Sequence, residues 1–264
     1  MPLVRFVLFI QKKVMSSSTL YSNYNALAQI YQERWNQAYG ADMMQILEKL
    51  FLRHLPEKAH ILDLCCGSGN LAQPLLMKEY QLIGLDGSEA MLRYAREKAP
   101  SAEFILGDAR FFEFPSTFHG VVSVGNSLNH VMNLEELKRV FHNVFAALLE
   151  NGVFAFSLSM EERYQSDKWN NVQKSSVKDE YIWIWQQIYD SKEKIGTRKI
   201  TIMQLVEGEW QRSDHNLLSK IYSRAEIQSA LENVGFTEVS FYDLERDLAV
   251  ADLLGEGIFV CRRR

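Results

Sequence analysis

Two glycines and three acids carry the chemistry of this chain. Gly67 and Gly69 close the run Ile61-Leu-Asp-Leu-Cys-Cys-Gly-Ser-Gly69. Asp63 stands four residues before the first glycine, Asp86 lies 17 residues after the second, and Asp108 follows Gly107 further on. Glycine lets a backbone turn sharply and approach a ligand closely, because no Cβ intervenes. Gly67-x-Gly69-x-x-Ala72 fits the dinucleotide pattern G-x-G-x-x-G/A, which is a weak sign by itself. A second polar stretch, Asn126-Ser-Leu-Asn-His130, adds to it. All of these residues fall where predicted strands end, the edge at which open α/β sheets bind ligands. The chemistry implied is the cradling of a nucleotide-like cofactor.

The elements that must position these residues follow from periodicity. An apolar run at 61–64 predicts a buried strand that feeds the glycine loop. A helix is expected over 71–80, starting late or distorted because of Pro74. Strands follow at 81–85, 103–106, 120–124 and 153–158. Between them Ser88 caps a helix that carries Met91, Leu92 and Ala95 on one face and stops at Pro100. Asn133 and Glu136 resemble a capping box opening a helix to Leu149. Five strands alternating with helices predict a parallel, doubly wound sheet with right-handed crossovers. Upstream, residues 21–34 and 41–55 carry apolar residues at helical spacing and predict two amphipathic helices.

The pattern changes after Ser159. Residues 161–176 are polar and irregular, whereas 181–190 and 198–206 read as β-rich segments, with further strands expected at Trp210 and at 219–222. Ser223-Arg-Ala-Glu226 is a capping box for a helix ending at Gly235, and strands are expected at 239–242 and 257–261. The resulting division is an N-terminal tail at 1–20, a core at 21–160 and 223–264, and an inserted β-rich subdomain at 161–222 that would cover an acceptor.

The chain has 264 residues, 47% hydrophobic, enough for one large α/β domain with an insertion. A net charge of -4, with no basic stripe beyond Arg262-Arg263-Arg264, argues against a nucleic-acid partner. Cys65, Cys66 and Cys261 form no disulfide framework, which suits a reducing, cytoplasmic compartment. The apolar stretch at 3–10 is too short to span a bilayer and lacks a basic start and a cleavage site, so neither a membrane span nor a signal peptide is expected. Met15, followed by Ser16-Ser-Ser-Thr19, reads as a more natural beginning, which makes residues 1–14 an upstream extension.

In combination the motifs resemble the class I S-adenosylmethionine-dependent methyltransferases. The segment from Ile61 to Gly69 is similar to the family's first motif, Leu82-Ile-Gly-Leu-Asp-Gly-Ser-Glu-Ala-Met-Leu92 to its second, Gly107-Asp-Ala109 to its third, and 121–130 to its fourth. Tyr24-Asn-Ala-Leu-Ala-Gln-Ile-Tyr31 resembles the small-molecule branch. The resemblance implies a Rossmann-like seven-stranded sheet whose last strand, 257–261, runs antiparallel, with the β-rich insertion after the fifth strand. It implies S-adenosyl-L-methionine as cofactor and S-adenosyl-L-homocysteine as product.

The same resemblance assigns roles. Asp86 would accept hydrogen bonds from both ribose hydroxyls, Gly67 and Gly69 would offer bare backbone, and Asp63 would steady the loop, reach the methionine amino group or serve as a paired structural acid. Asp108 and the Ala109 amide would read adenine. Met91 would pack on adenine or in the core. Tyr24, Ser68, Gly87, Ser88 and Asn126 complete the cofactor set, and no metal is expected.

Asn126 and His130 are the catalytic candidates, because they lie where the reacting sulfonium would sit. Relatives often carry an acid at Asn126 and at His119, so the chain departs from the pattern there. His130 reads either as a base for an acceptor proton or as a packed histidine. No Pro-Pro-Tyr follows Asn126, unlike adenine-N6 and glutamine-amide methyltransferases.

Tyr181, Trp183, Trp185, Tyr189 and Trp210 would cover a small-molecule acceptor methylated on N or O, apolar or cationic in character. Equally they would form a subdomain core or a homodimer face. Two alternatives stay open: an NAD-dependent oxidoreductase, although no Tyr-x-x-x-Lys site is found, and a non-catalytic S-adenosylmethionine-binding protein.

Overall fold

The computed structural model describes residues 22–34 and 38–264. The reading of residues 1–14 as an extension, and Tyr21 of the first expected helix, lie outside the described residues. Helices α1 (Ser22–Arg34) and α2 (Ala38–Leu50) lead into β1 (His60–Leu64), α3 (Ala72–Met77), β2 (Gln81–Asp86), α4 (Glu89–Lys98), β3 (Glu103–Leu106) and β4 (Phe118–Ser123). Then come α5 (Leu134–Ala147), β5 (Leu148–Ser159), α6 (Glu161–Gln165), β6 (Gln173–Lys178), β7 (Tyr181–Asp190), β8 (Ile195–Val206) and β9 (Glu209–Lys220). Helix α7 (Arg224–Val234) precedes β10 (Phe236–Asp243) and β11 (Glu256–Arg263).

Seven strands form one sheet in the order β10-β11-β5-β4-β1-β2-β3. β1, β2, β3, β4 and β5 pair in parallel, and β11 runs antiparallel to both β5 and β10. The expected sheet with its antiparallel last strand is therefore present. Helices cover both faces. Met43 and Leu47 of α2, Leu75 of α3 and Leu92 and Ala95 of α4 pack on one side, while Leu137 and Phe141 of α5 and Ile227 and Leu231 of α7 pack on the other.

Local chemistry sets several boundaries. Ser88 accepts from the Met91 amide at 3.2 Å and Asn133 from the Glu136 amide at 2.8 Å, so each starts its helix where the caps predict. Pro74 is the third residue of α3, where a helix has no use for its missing N–H. The helix starts at Ala72 but ends at Met77, shorter than expected. Helix α5 stops at Ala147, two residues before the expected end, because Leu148 already pairs with Phe118 of β4.

The insertion is a four-stranded antiparallel sheet in the order β6-β7-β8-β9. It differs from expectation in two places. The polar stretch at 161–176 contains α6 and most of β6, and the two strands expected around Trp210 and 219–222 are one continuous strand, β9. Cross-strand pairing along all of β8 outweighs the weak hydrophobic pattern of these segments. Period-two spacing holds on β7: Tyr181, Trp183 and Trp185 are buried together with Ile200, Ile202 and Leu217, and Leu27 and Ile30 of α1 complete that cluster. The amphipathic face of α1 thus docks on the insertion. Among the described residues no helix is long and apolar enough to cross a membrane.

Candidate active site

The glycine loop leaves β1 through Cys65, whose φ is +60°, and Gly67 follows at φ +55°. A Cβ at Gly67 would meet nothing within 4 Å, whereas one at Gly69 would lie 2.9 Å from the Ala95 Cβ of α4. The two glycines therefore serve different ends. Gly67 leaves open space on the ligand side, and Gly69 lets the loop press against a helix. The loop is also held from outside, as Lys98 of α4 donates to Ser68 Oγ at 3.2 Å and to Asn70 Oδ1 at 2.7 Å. Burial pushes the Lys98 ammonium down to about 8.

Asp86 ends β2 and fastens its neighbours. Its Oδ2 accepts from the Gly67 amide at 2.8 Å and its Oδ1 from the Ser88 amide at 2.8 Å. Burial pushes this carboxyl up to about 6 against the pull of those amides. Asp63, inside β1, is 2% exposed and pushed up to about 7 by burial and by the charge of Asp86.

Both acids line a cavity of about 160 Å³ above β1, β2 and β4. Tyr24, Gly67, Ser68, Gly87, Met91 and His130 line it too, as do Cys65, Cys66 and Asn70, which sequence reasoning had not singled out as site residues. Their place in the glycine loop was the available signal. Gly69, Ser88, Asp108, Ala109 and Asn126 are not among its lining residues. Ser88 donates its hydroxyl to Asn25 at 2.7 Å, fastening α1 to the start of α4. Asp108 is ion-paired: its Oδ2 accepts from Arg110 Nη2 at 2.7 Å in a buried pair that Glu136 extends at 3.1 Å. The carboxylate expected to read adenine thus sits in an internal ion pair.

His130 joins three elements. Its Nδ1 meets the Leu218 carbonyl of β9 at 2.6 Å and so carries the proton. Nε2 is then an acceptor, and the Tyr24 hydroxyl of α1 donates to it at 2.5 Å. Burial, with a contribution from Arg198, pushes the His130 pKa down to about 4. Burial likewise raises the Tyr24 phenol well above its ordinary value. The ring is neutral and its lone pair is taken, so a free base at this position is not what the fold presents.

A second cavity, of about 270 Å³, adjoins the first and shares Tyr31, Gly125 and His130 with it. Asn126 lines this one. Its φ of +59° puts it in the left-handed region, which Asn tolerates. Its Nδ2 donates to Glu256 Oε2 at 3.1 Å, and its Oδ1 is buried without a donor. Glu256, the first residue of β11, also meets Arg163 at 3.2 Å. Nothing in the sequence singled Glu256 out, since β11 reads as an ordinary edge of the core. Of the five aromatics expected to cover an acceptor, Trp185 lines this cavity, while Tyr181 and Trp183 are packed against α1. Trp210 is 44% exposed.

Residues 61–152 match a family model described as a methyltransferase domain. YqeM of Bacillus subtilis strain 168, provisionally named a methyltransferase, is 28% identical over 81% of this chain and 86% of its own. A trans-aconitate 2-methyltransferase of Variovorax paradoxus is 33% identical over 47% of this chain and 49% of its own. A crystal structure of an S-adenosylmethionine-dependent methyltransferase from Clostridium acetobutylicum shares the fold, with a TM-score of 0.72 at 21% identity over 91% of this chain and 98% of that one.

Residues 61–152 thus carry a methyltransferase domain, and the chain is similar in sequence and fold to S-adenosylmethionine-dependent methyltransferases. The first cavity of this methyltransferase fits that cofactor. Asp63, buried, and Asp86, half-buried, both with raised pKa values, suit a ligand that brings positive charge, and the open side of Gly67 leaves room for it against bare backbone. Gly69 packs against α4, and an acid within β1, such as Asp63, is not part of the dinucleotide pattern.

Proposed function

We propose that this methyltransferase transfers a methyl group from S-adenosyl-L-methionine to a nitrogen or oxygen of a small molecule held in the second cavity. The observation that carries this is the junction of the two cavities at Tyr31, Gly125 and His130. One side is built from the glycine loop and the acids, the other from strand ends and the inserted sheet. The trans-aconitate methyltransferase similarity supports a small acceptor, and the net charge of -4 favours one over a nucleic acid. We likewise assign residues 161–222 as an insertion that covers the acceptor, outside the core, and place the reaction in a reducing cytoplasm.

The cofactor residues in this reading are Tyr24, Asp63, Gly67, Ser68, Asp86, Gly87 and Met91, which line the first cavity. Asp86 accepts the ribose hydroxyls, and Asp63 offsets the positive end of the ligand. The sulfonium supplies an already activated methyl group when bound. The protein's task is then alignment and exclusion of water, which supply roughly 7–11 kcal/mol in good intramolecular cases. Asn126 Oδ1 accepts from the N–H or O–H of the acceptor. His130 acts as a positioning residue that holds Tyr24 across the junction.

The test is incubation with radiolabelled S-adenosylmethionine and a fractionated extract of metabolites, nucleic acids and proteins. Label should enter the metabolite fraction. Label entering only polymer would overturn the reading.

A further inference from the structure

The second cavity is charged in a way the aromatic-rich sequence did not suggest. Arg163, Lys168, Lys174 and Arg198 line it, against the single acid Glu256. Arg163 meets Glu256, and Lys168 pairs with Asp252. Arg198, on β8, is different. Its Nη1 donates to the Tyr31 hydroxyl at 3.4 Å. Its Nη2 donates at 3.2 Å to the Gln187 amide oxygen, in the amide orientation that also accepts from Trp169 Nε1 at 2.8 Å. The guanidinium lies 4.9 Å from the Trp185 ring centre, and its Nε is buried without an acceptor. Every one of these partners is neutral.

A guanidinium laid on an indole and gripped at both Nη atoms is pre-organised, with little freedom left to lose on binding. A guanidinium carries five N–H donors in a planar fork. Two are taken here and the Nε–H is enclosed, which leaves two on the Nη atoms for a ligand. A half-buried cation with no counter-charge among the described residues is costly, and the cost is relieved by an anion. Carboxylate and phosphate both match the fork in two parallel hydrogen bonds.

We propose that the acceptor is an anion, carrying a carboxylate or phosphate that Arg198 binds at the insertion side of the second cavity. This rests on the small-molecule reading above and replaces the apolar or cationic acceptor expected from the aromatics. The anionic group anchors one end of the molecule, and the methylated atom lies at the other end, near Asn126 and the junction with the first cavity. Trp185 and Trp169 then serve to orient Arg198 rather than to cage a cation.

The test is calorimetry on protein saturated with S-adenosylhomocysteine, with pyrophosphate in one arm and citrate in the other to separate phosphate from carboxylate recognition. At least one anion should bind the wild type with unit stoichiometry. Arg198→Gln should weaken it tenfold or more, and Arg198→Lys should fall between, since it keeps the charge and loses the fork. The exposed neighbour variant Lys199→Gln should match wild type. Should Arg198→Gln not fold, Arg198→Lys carries the test, and unchanged affinity there overturns the proposal. It is also overturned if neither anion binds the wild type, or if Arg198→Gln binds as well as wild type. Binding of S-adenosylhomocysteine in the same preparations reports separately on the cofactor reading.

Discussion

The Tyr24 hydroxyl donates to Nε2 of His130 at 2.5 Å, while the far side of the same ring donates to the Leu218 carbonyl at 2.6 Å. Helix α1, the loop after β4 and strand β9 are thus tied by one neutral imidazole at the junction of the two cavities. Tyr24→Phe leaves Nε2 without a donor. Stability should fall by about 1–2 kcal/mol in denaturant titration, the usual cost of an orphaned buried polar group. Because both residues serve one interaction, Tyr24→Phe and His130→Ala should be non-additive, with a coupling of about 0.5 kcal/mol or more in a double-mutant cycle.

With Asp63 and Asp86 at the proposed cofactor site, cofactor affinity should depend on pH. Their carboxyls titrate at about 7 and about 6 in the folded protein without ligand. A ligand bringing positive charge favours the ionised forms, so affinity should fall as pH drops through that window. The limit is about tenfold per pH unit for each group that must release its proton. Calorimetry with S-adenosylmethionine at pH 8, 7 and 6 measures it, and Asp63→Asn should flatten the upper limb. Folding without cofactor responds oppositely. Asp63 keeps protons that an unfolded chain, with an aspartate pKa of about 3.9, has released. Stability should therefore rise as pH falls from about 7 toward 4.

Arg110 neutralises Asp108 beneath the loop after β3, and both side chains are buried. Arg110→Met strands that carboxylate. Breaking such a pair from one side should cost about 3–5 kcal/mol, seen as a large drop in Tm. The cofactor affinity of the protein that remains folded should change far less, since Asp108 does not line the first cavity.

The two loop glycines should separate in mutagenesis. Gly69→Ala puts a Cβ at 2.9 Å from the Ala95 Cβ and 3.0 Å from its Cα. Overpacking against backbone should cost about 1–3 kcal/mol on top of the unfavourable φ. Gly67→Ala meets open space and carries only the conformational penalty, about 1–2 kcal/mol. Thermal melts should rank Gly69→Ala below Gly67→Ala, and calorimetry should show the larger loss of cofactor affinity at Gly67→Ala.

The core was legible because its signals are local. Glycines, caps and short apolar runs fix β1, β2, β3 and the helices between them, and β3 falls on the predicted residues. The insertion was legible on β7, where alternation is strong, and not at 161–178 or along β9, where polar residues are held by cross-strand pairing with distant partners. At the site, residues of the glycine loop and strand ends could be read directly. Glu256 and Arg198 could not, because each becomes a site residue only when β11 or β8 is folded back over the end of β4. The ion pair of Asp108 was hidden for a related reason: its partner Arg110 is two residues away, yet the pairing depends on burial that no local pattern reveals.

The central claim is that the cavity above β1 and β2 holds the methyl donor through Asp86. Calorimetric titration of S-adenosylhomocysteine into wild type and Asp86→Ala tests it most directly. The account predicts one site per wild-type chain and a loss of affinity on the order of 100-fold or more in the variant, as charge-assisted hydrogen bonds are worth roughly 1.5–3 kcal/mol each. Equal affinity in a folded Asp86→Ala protein, or no binding to wild type, would contradict it.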